Sequence, residues 1–359
     1  MKIFNFDNHL KFITERKNIN IIIYRDIYKK LYNTKKSIDN YKDKWDKYKK
    51  FINDYEYIYT SSNIHKNICK ISPISRSYFK LHELLIDFGI LKKYKDLNIT
   101  CIAEGPGGFI QSLLDNIKKL NIYINNIYGI SLISENKEIP SWNPKIKNNK
   151  NVKLLYGKDN TGDICNKDNI LDFVSKIKYN TCNLITCDGG IDYSNNYNNQ
   201  ELASYEFIYN EILLSLYLQK EGGILIIKMF DILYYSSIQL LYILYLCYDT
   251  IIINKPYTSR LTNSEKYIIC KGYKYNIRVI ELLDEYYNKK DKLMLHIPKL
   301  FLENIKYYNQ IFIETQIQNI DIIIEKINSN NIVLNKPTTL QINKAKEWCN
   351  IYNLEINDK

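Results

Sequence analysis

The sequence predicts an α/β fold: an open, mostly parallel sheet with an antiparallel edge strand, helices on both faces, and helical extensions at either end. Three observations predict it. Between about residues 71 and 274, short apolar runs alternate with longer helical patterns, the signature of a parallel sheet covered on both faces. A glycine-rich turn, Glu104-Gly105-Pro106-Gly107-Gly108-Phe109, joins one apolar run to an amphipathic pattern. The last two apolar runs lie too close together for a crossover helix, so they should pair antiparallel.

Taken in order, residues 1–70 are rich in Lys, Tyr and Asn with helical periodicity, and read as helices capping one side of the core. Residues 71–274 form the sheet domain. Strands are expected near 98–103, 126–132, 152–156, 182–187, 223–229, 249–254 and 265–271. Helices are expected near 78–88, 108–119, 166–178, 199–220 and 236–247. Residues 275–359 return to helical patterns, with a polar loop near Asn328–Pro337. There is no internal repeat or long linker.

The 359 residues are 45% hydrophobic, enough for a sizeable core. The formal charge of +11 favours a polyanionic partner, nucleic acid above all. Lys and Asn abound throughout, however, so part of that charge only solvates the surface. The wealth of Ile, Asn, Lys and Tyr resembles the product of an AT-rich genome, so the 33 Tyr are not by themselves stacking platforms. Eight Cys are scattered without a C-x-x-C pair and apart from the four His. They read as reduced core residues of an intracellular protein, not as zinc ligands or disulfides. The start, Met1-Lys2-Ile3-Phe4-Asn5, lacks a signal-peptide pattern. The most apolar stretch, about Ile238–Ile253, is broken by Gln239 and Asp249 and reads as a core helix followed by a strand, not a membrane span.

A strand, a glycine turn and a helix start make a site for a nucleotide-type cofactor, because the turn lets a ligand approach the backbone and the helix presents free N–H groups. The dinucleotide fingerprint needs a third glycine for close helix–strand packing. Ile110 stands there, and the next apolar run, Tyr128-Gly129-Ile130-Ser131-Leu132, ends without a ribose-binding acid. A nicotinamide cofactor is therefore not expected. A phosphate-binding loop of the Gly-Lys-Ser/Thr type is absent.

Ligands of open α/β sheets sit beyond the carboxyl ends of the strands. Asp188 and Lys228 occupy such ends. Lys80, in Ser75-Arg76-Ser77-Tyr78-Phe79-Lys80, and Glu265, which opens the reversed strand, flank the same edge. Each alone also fits a structural reading: a solvated helix lysine, a turn former, a snorkelling strand-end lysine, a partner for Lys266. Their joint placement is what points to chemistry.

These segments resemble the FtsJ-type (RrmJ-type) ribose 2′-O-methyltransferases, and most of all the cap-specific mRNA branch of eukaryotes and large DNA viruses. The resemblance runs from about Ser75 to Tyr273. It is carried by Ser-Arg-Ser-Tyr-Phe-Lys, the glycine turn, Tyr156-Gly157-Lys158-Asp159-Asn160-Thr161-Gly162-Asp163-Ile164, Cys187-Asp188-Gly189-Gly190, Ile227-Lys228-Met229-Phe230-Asp231, and the stretch from Thr258-Ser259-Arg260 to Asn263-Ser264-Glu265-Lys266-Tyr267. Ala345-Lys346-Glu347-Trp348-Cys349 resembles the end of the viral branch more faintly, and a Trp on such a helix is commonly simple packing.

The resemblance implies a Rossmann-like class I methyltransferase sheet and an enzyme that methylates the ribose 2′-hydroxyl of the first transcribed nucleotide of capped mRNA. It implies S-adenosyl-L-methionine as the cofactor and no metal. Lys228 would be the proton acceptor. Lys80 would supply positive charge, Asp188 would orient Lys228, and Glu265 would hold a lysine. A lysine base needs its pKa lowered by desolvation or a cationic neighbour. The two carboxylates oppose that, so the net shift stays open at this point. Cofactor contacts would fall to Ser75, Gly105, Pro106, Gly107, Gly108, Phe109, Asp163 and Ile164, and cap or RNA contacts to Asn198, Asn199, Gln200 and Asn263. The family's basic cap segment is matched by Lys47, Lys49, Lys50 and Asn53-Asp54-Tyr55-Glu56, with Lys in place of Arg and so without the bidentate fork. Capped RNA is the implied partner, alongside other capping or transcription proteins, with no membrane. The setting would be intracellular: nucleus or cytoplasm, or a viral factory or virion. The alternatives are a ribosomal or transfer RNA 2′-O-methyltransferase and an inactive RNA-binding subunit of the same fold.

Overall fold

The computed structural model describes residues 22–60, 64–136, 139–190, 197–289, 295–329 and 336–357. The first 21 residues of the expected N-terminal helical region and most of the expected polar loop near 328–337 lie outside them. The strands are β1 (Asp96–Ile102), β2 (Tyr123–Ile130), β3 (Val152–Leu154), β4 (Cys182–Cys187), β5 (Gln219–Met229), β6 (Tyr248–Asn254) and β7 (Lys266–Tyr273). Among the described residues they form one sheet in the order β3-β2-β1-β4-β5-β7-β6. The pairs β1–β2, β1–β4, β2–β3 and β4–β5 are parallel, and β7 runs antiparallel to both β5 and β6.

The helices are α1 (Arg25–Ser37), α2 (Lys42–Ile52), α3 (Ser77–Asp87), α4 (Gly108–Lys119), α5 (Pro144–Lys147) and α6 (Lys167–Ile177), followed by α7 (Gln200–Ala203), α8 (Tyr205–Leu218), α9 (Tyr235–Cys247), α10 (Ile277–Lys289), α11 (Lys299–Asn328) and α12 (Thr339–Ile351). Strand side chains alternate between faces, and both faces are apolar. Ile224, Ile226, Tyr267 and Ile269 pack with Leu81, Leu84, Phe109 and Leu113 on one side. Leu225, Ile227, Ile268 and Cys270 pack with Phe173, Leu213 and Leu241 on the other. A sheet buried on both faces needs helices on both, as the runs of Ile and Leu predict.

Two differences from the expected elements have local causes. The reversed strand is not at the edge: β7 inserts between β5 and β6, and β6 forms the edge. Residues Tyr267–Cys270 are fully buried, which suits an interior strand, whereas β6 is half-buried along most of its length. The expected helix over 199–220 is two, α7 and α8, and β5 follows α8 at once. There Cys182 pairs with Gln219 but Leu184 with Ile224, so the Lys220–Gly223 stretch bulges out of register.

The terminal helices cover what the sheet domain leaves apolar. Every residue of α9 is buried, so it has no face for water. Phe301 of α11 meets Tyr242 and Tyr245 of α9 with ring centroids 5.1 and 5.3 Å apart. Farther along α11, Ile320, Ile323 and Ile327 pack on Ile38 and Trp45. Trp348 of α12 is buried as expected, but it also donates its indole N–H to Glu83 Oε2 at 3.1 Å. Among the described residues no helix is long and apolar enough to cross a membrane. All eight cysteines are free, and all but Cys165 are buried.

If α11 is part of the fold and not an appendage, Ile320→Ala should destabilise the chain by about 2–5 kcal/mol through the lost burial and the cavity left. Urea titration would show a lower midpoint; an unchanged midpoint would detach α11 from the cooperative unit.

Candidate active site

The glycine turn stands between β1 and α4, at the carboxyl edge of the sheet. Gly107 has φ +109°, a conformation that costs little only for glycine. Gly108 begins α4 against α3: a Cβ there would lie 2.1 Å from Ser75 Oγ and 2.3 Å from Ser77 Oγ. The two hydroxyls are themselves 2.6 Å apart. The N–H of Gly105 donates to Ser131 Oγ, beyond β2, at 3.2 Å. Ser75, Gly105, Pro106, Gly107 and Gly108 are thus gathered at one place. Asp163 and Ile164 follow β3 in the loop whose Gly162 packs on the Ser131 carbonyl. The Asp163 carboxylate caps the Cys165 N–H at 2.8 Å, while Ile164 is buried in the core. Phe109 faces the core too, 5.9 Å from the Tyr267 ring. Ile110, in the place of the third fingerprint glycine, is fully buried.

Lys80, Asp188, Lys228 and Glu265 come together at this edge as two ion pairs. Lys80 Nζ contacts both Glu265 oxygens, at 2.7 and 2.8 Å. Lys228 Nζ is 3.1 Å from Asp188 Oδ1 and donates to the Asp188 carbonyl at 2.7 Å. All four side chains are only 10% to 15% exposed. Tyr267 donates to Asp188 Oδ1 at 2.7 Å, and Ser259 to Glu265 Oε1 at 2.8 Å. The insertion of β7 makes this possible, because its reversed direction brings its start beside the end of β5.

Burial pushes the Lys228 ammonium down, but Asp188 and Glu265 outweigh it, so its pKa ends above the ordinary lysine value. The shift left open by the sequence therefore runs upward. Burial pushes Glu265 up, yet Lys80 and Lys228 bring it down to about 2.

Of the polar residues expected to touch RNA, Gln200 and Asn263 join the segment leading to Glu265. Gln200 Oε1 accepts from Ser264 at 2.6 Å, and Asn263 Oδ1 accepts from Lys255 at 2.6 Å. Asn199 lends its carbonyl to the Ala203 N–H of α7, and the Asn198 amide donates to the Tyr32 carbonyl of α1 at 3.4 Å. In the expected cap segment, Glu56 is buried and committed: Arg260 grips both its oxygens at 2.8 and 3.0 Å, and Asn53 donates at 2.9 Å. Lys49 pairs with Asp46. Lys49, Asn53, Asp54 and Tyr55 line a cavity of about 520 Å³ that also reaches Lys255 and Tyr257. The Tyr55 and Tyr257 rings are 5.3 Å apart.

Sequence reasoning gave no role to Ser131, Ser259 and Tyr267, which it quoted only within longer stretches, and missed Lys255 altogether. Lys255 carried a usable signal. It directly follows β6, and β6 runs parallel to β5, so it stands at a strand end on the same edge as Lys228. A buried group behind the site was missed as well: Lys35 of α1 bonds Asp231 at 2.5 Å, and Lys266 lies 3.7 Å from the same carboxylate.

Residues 73–273, more than half of the chain, match the FtsJ-like methyltransferase family. The chain is similar to cap-specific mRNA (nucleoside-2′-O-)-methyltransferase 1A of Caenorhabditis briggsae, 30% identical over 60% of this chain and 27% of the relative. It is similar to the inactive enzyme 1B of the same nematode, at 28% identity over 60% of this chain and 28% of that one. The cap-specific mRNA (nucleoside-2′-O-)-methyltransferase of Autographa californica nuclear polyhedrosis virus is 29% identical over 64% of this chain and 82% of its own length. The chain thus spans about a quarter of the nematode proteins and most of the viral one. The chain belongs to the FtsJ-like methyltransferase family.

Proposed function

We propose that the chain transfers a methyl group from S-adenosylmethionine to the ribose 2′-hydroxyl of the first transcribed nucleotide of capped mRNA. The observation that carries this reading is the pair of ion pairs, Lys80–Glu265 and Lys228–Asp188, set beside the glycine turn at the carboxyl edge of the sheet. The residues at the turn fit such a cofactor. Gly108 lets the start of α4 close on the Ser75 and Ser77 hydroxyls, and Glu104 is buried there with Oε2 lacking a hydrogen-bond partner. Ser75, Gly105 and Gly107 would hold the methionine portion, and Asp163 the nucleoside. Phe109 and Ile164, buried as they are, would shape the site from behind. When bound, the sulfonium offers an electrophilic methyl group.

The chain supplies the other half of the reaction. A ribose hydroxyl is a weak nucleophile until its proton is withdrawn. Lys228 would take that proton at Nζ, held in place by Asp188 and, through Tyr267, by β7. Its raised pKa means that it must first give up a proton of its own. Lys80, fixed by Glu265, would steady the hydroxyl from the other side. The cavity beside Lys255, with Tyr55 and Tyr257, has the size and aromatic lining for a purine base, so we place the cap guanine there, with Gln200 and Asn263 along the approach. The +11 charge suits an RNA partner. The inactive nematode relative raises a second reading, an RNA-binding subunit; in this chain all four ionisable residues are present and paired.

Incubation with labelled S-adenosylmethionine and capped short RNA should place label on the 2′-oxygen of the first nucleotide; label on a base, or equally on uncapped RNA, would defeat the assignment. Lys228→Ala should leave S-adenosylhomocysteine binding nearly intact by calorimetry and cut turnover by about 10²–10⁴-fold. A folded variant with near wild-type turnover would remove Lys228 from the mechanism. Because the protonated form dominates below a raised pKa, the single-turnover rate should climb about tenfold per pH unit across the neutral and mildly alkaline range. A flat profile would mean that Lys228 acts as a fixed charge.

A further inference from the structure

Lys255 stands where β6 ends, and its ammonium donates to three acceptors: the Asn263 carbonyl at 2.8 Å, Asn263 Oδ1 at 2.6 Å and the Glu265 carbonyl at 2.8 Å. An ammonium has three donors and no acceptor, so all of its capacity goes to one three-residue segment. That segment carries Asn263, proposed to meet RNA, and Glu265, which holds Lys80. The same side chain lines the cavity of about 520 Å³. A second bond ties the segment to the neighbouring loop, from Ser264 to Gln200 at 2.6 Å. Behind it, Gln316 of α11 donates to the Thr262 carbonyl at 3.0 Å.

Holding a cation at this place is costly. Burial, with Lys266 and Lys80 nearby, brings the Lys255 ammonium down to about 7, against the pull of Glu265 and Asp231. A neutral polar side chain could satisfy the same carbonyls with no such penalty. A lysine reaches all three acceptors of the segment at once, which a shorter amide with two donors does not.

We propose that Lys255 is a positioning residue for methyl transfer, fixing the Asn263-Ser264-Glu265 segment so that Lys80 and the RNA-facing Asn263 keep their alignment with Lys228. The role rests on the 2′-O-methyltransferase reading. Lys255 itself neither receives the proton nor touches the cofactor; it acts through Glu265 and Asn263.

The test compares wild type, Lys255→Met and Lys255→Gln with capped RNA and S-adenosylmethionine. S-adenosylhomocysteine affinity should stay within about threefold in both variants, whereas kcat at saturating RNA should fall at least about tenfold in Lys255→Met, because small misplacements at a reacting centre cost that much or more. Lys255→Gln, which keeps two donors, should fall between Lys255→Met and wild type. A purely stabilising lysine would lower the melting temperature and leave kcat unchanged, and that result overturns the proposal. Should Lys255→Met fail to fold, a kcat for Lys255→Gln within about twofold of wild type overturns it as well. A wild type unable to methylate capped RNA would defeat the functional reading; an active wild type with unaffected variants defeats only the role of Lys255.

Discussion

The constraint on which the rest depends is the burial of four charges at one sheet edge. Removing an ion from water costs several kcal/mol, repaid only when partners are close and well aligned. Lys80, Asp188, Lys228 and Glu265 meet that condition in pairs, and no two of them sit on one element. Lys80 comes from α3, Asp188 from the end of β4, Lys228 from β5 and Glu265 from the start of β7. The reversed strand is therefore a chemical necessity as much as a topological detail. Were β7 parallel to β5, its first residues would lie at the opposite edge, and Lys80 would lose its carboxylate.

The surrounding structure repeats the same device at longer range. Glu56 joins the N-terminal helices to Arg260 of the loop between β6 and β7. Asp231, three residues beyond Lys228, receives Lys35 from α1. Glu83 accepts the N–H groups of Tyr257 and Thr258 and the Trp348 indole N–H, tying α12 to the same loop. Burial raises its pKa to about 7 against those hydrogen bonds. Each is a buried carboxylate joining a helix from a terminal region to a segment of the site. Breaking the Glu56 or Asp231 pair leaves an uncompensated charge, and removing a donor from Glu83 leaves a buried carboxyl oxygen unsatisfied, so these contacts tie the terminal helices to the site beside the apolar packing they share.

Much of this was legible in the chain because its signals are local. The glycine turn, the apolar strand ends at Asp188 and Lys228, and the close spacing of β6 and β7 each fit within a dozen residues. What could not be read depends on sequence-distant contacts. Glu56 meets Arg260 across 204 positions, and nothing near either residue names the other. The spacing of the last two strands required an antiparallel pair but not which of them would sit against β5. The direction of the Lys228 shift is a balance of burial against two carboxylates, and its sign needs distances. Phe109 and Ile164 sit in motifs expected to meet a cofactor, yet their side chains face the core; a motif fixes where the backbone goes more firmly than where each side chain points. Lys255 was within reach, as a lysine at a strand end on the same edge, but its three acceptors are visible only once the loop is closed.

In the proposed reaction the paired lysines act on a single ribose hydroxyl, that of the first nucleotide after the cap. The most direct measurement uses capped RNA whose first nucleotide lacks the 2′-hydroxyl and is otherwise identical. This RNA should bind, compete with the normal substrate and accept no methyl group. Methyl incorporation into it at a rate comparable to the normal substrate would mean that another atom is the nucleophile, since the 2′-hydroxyl would be absent.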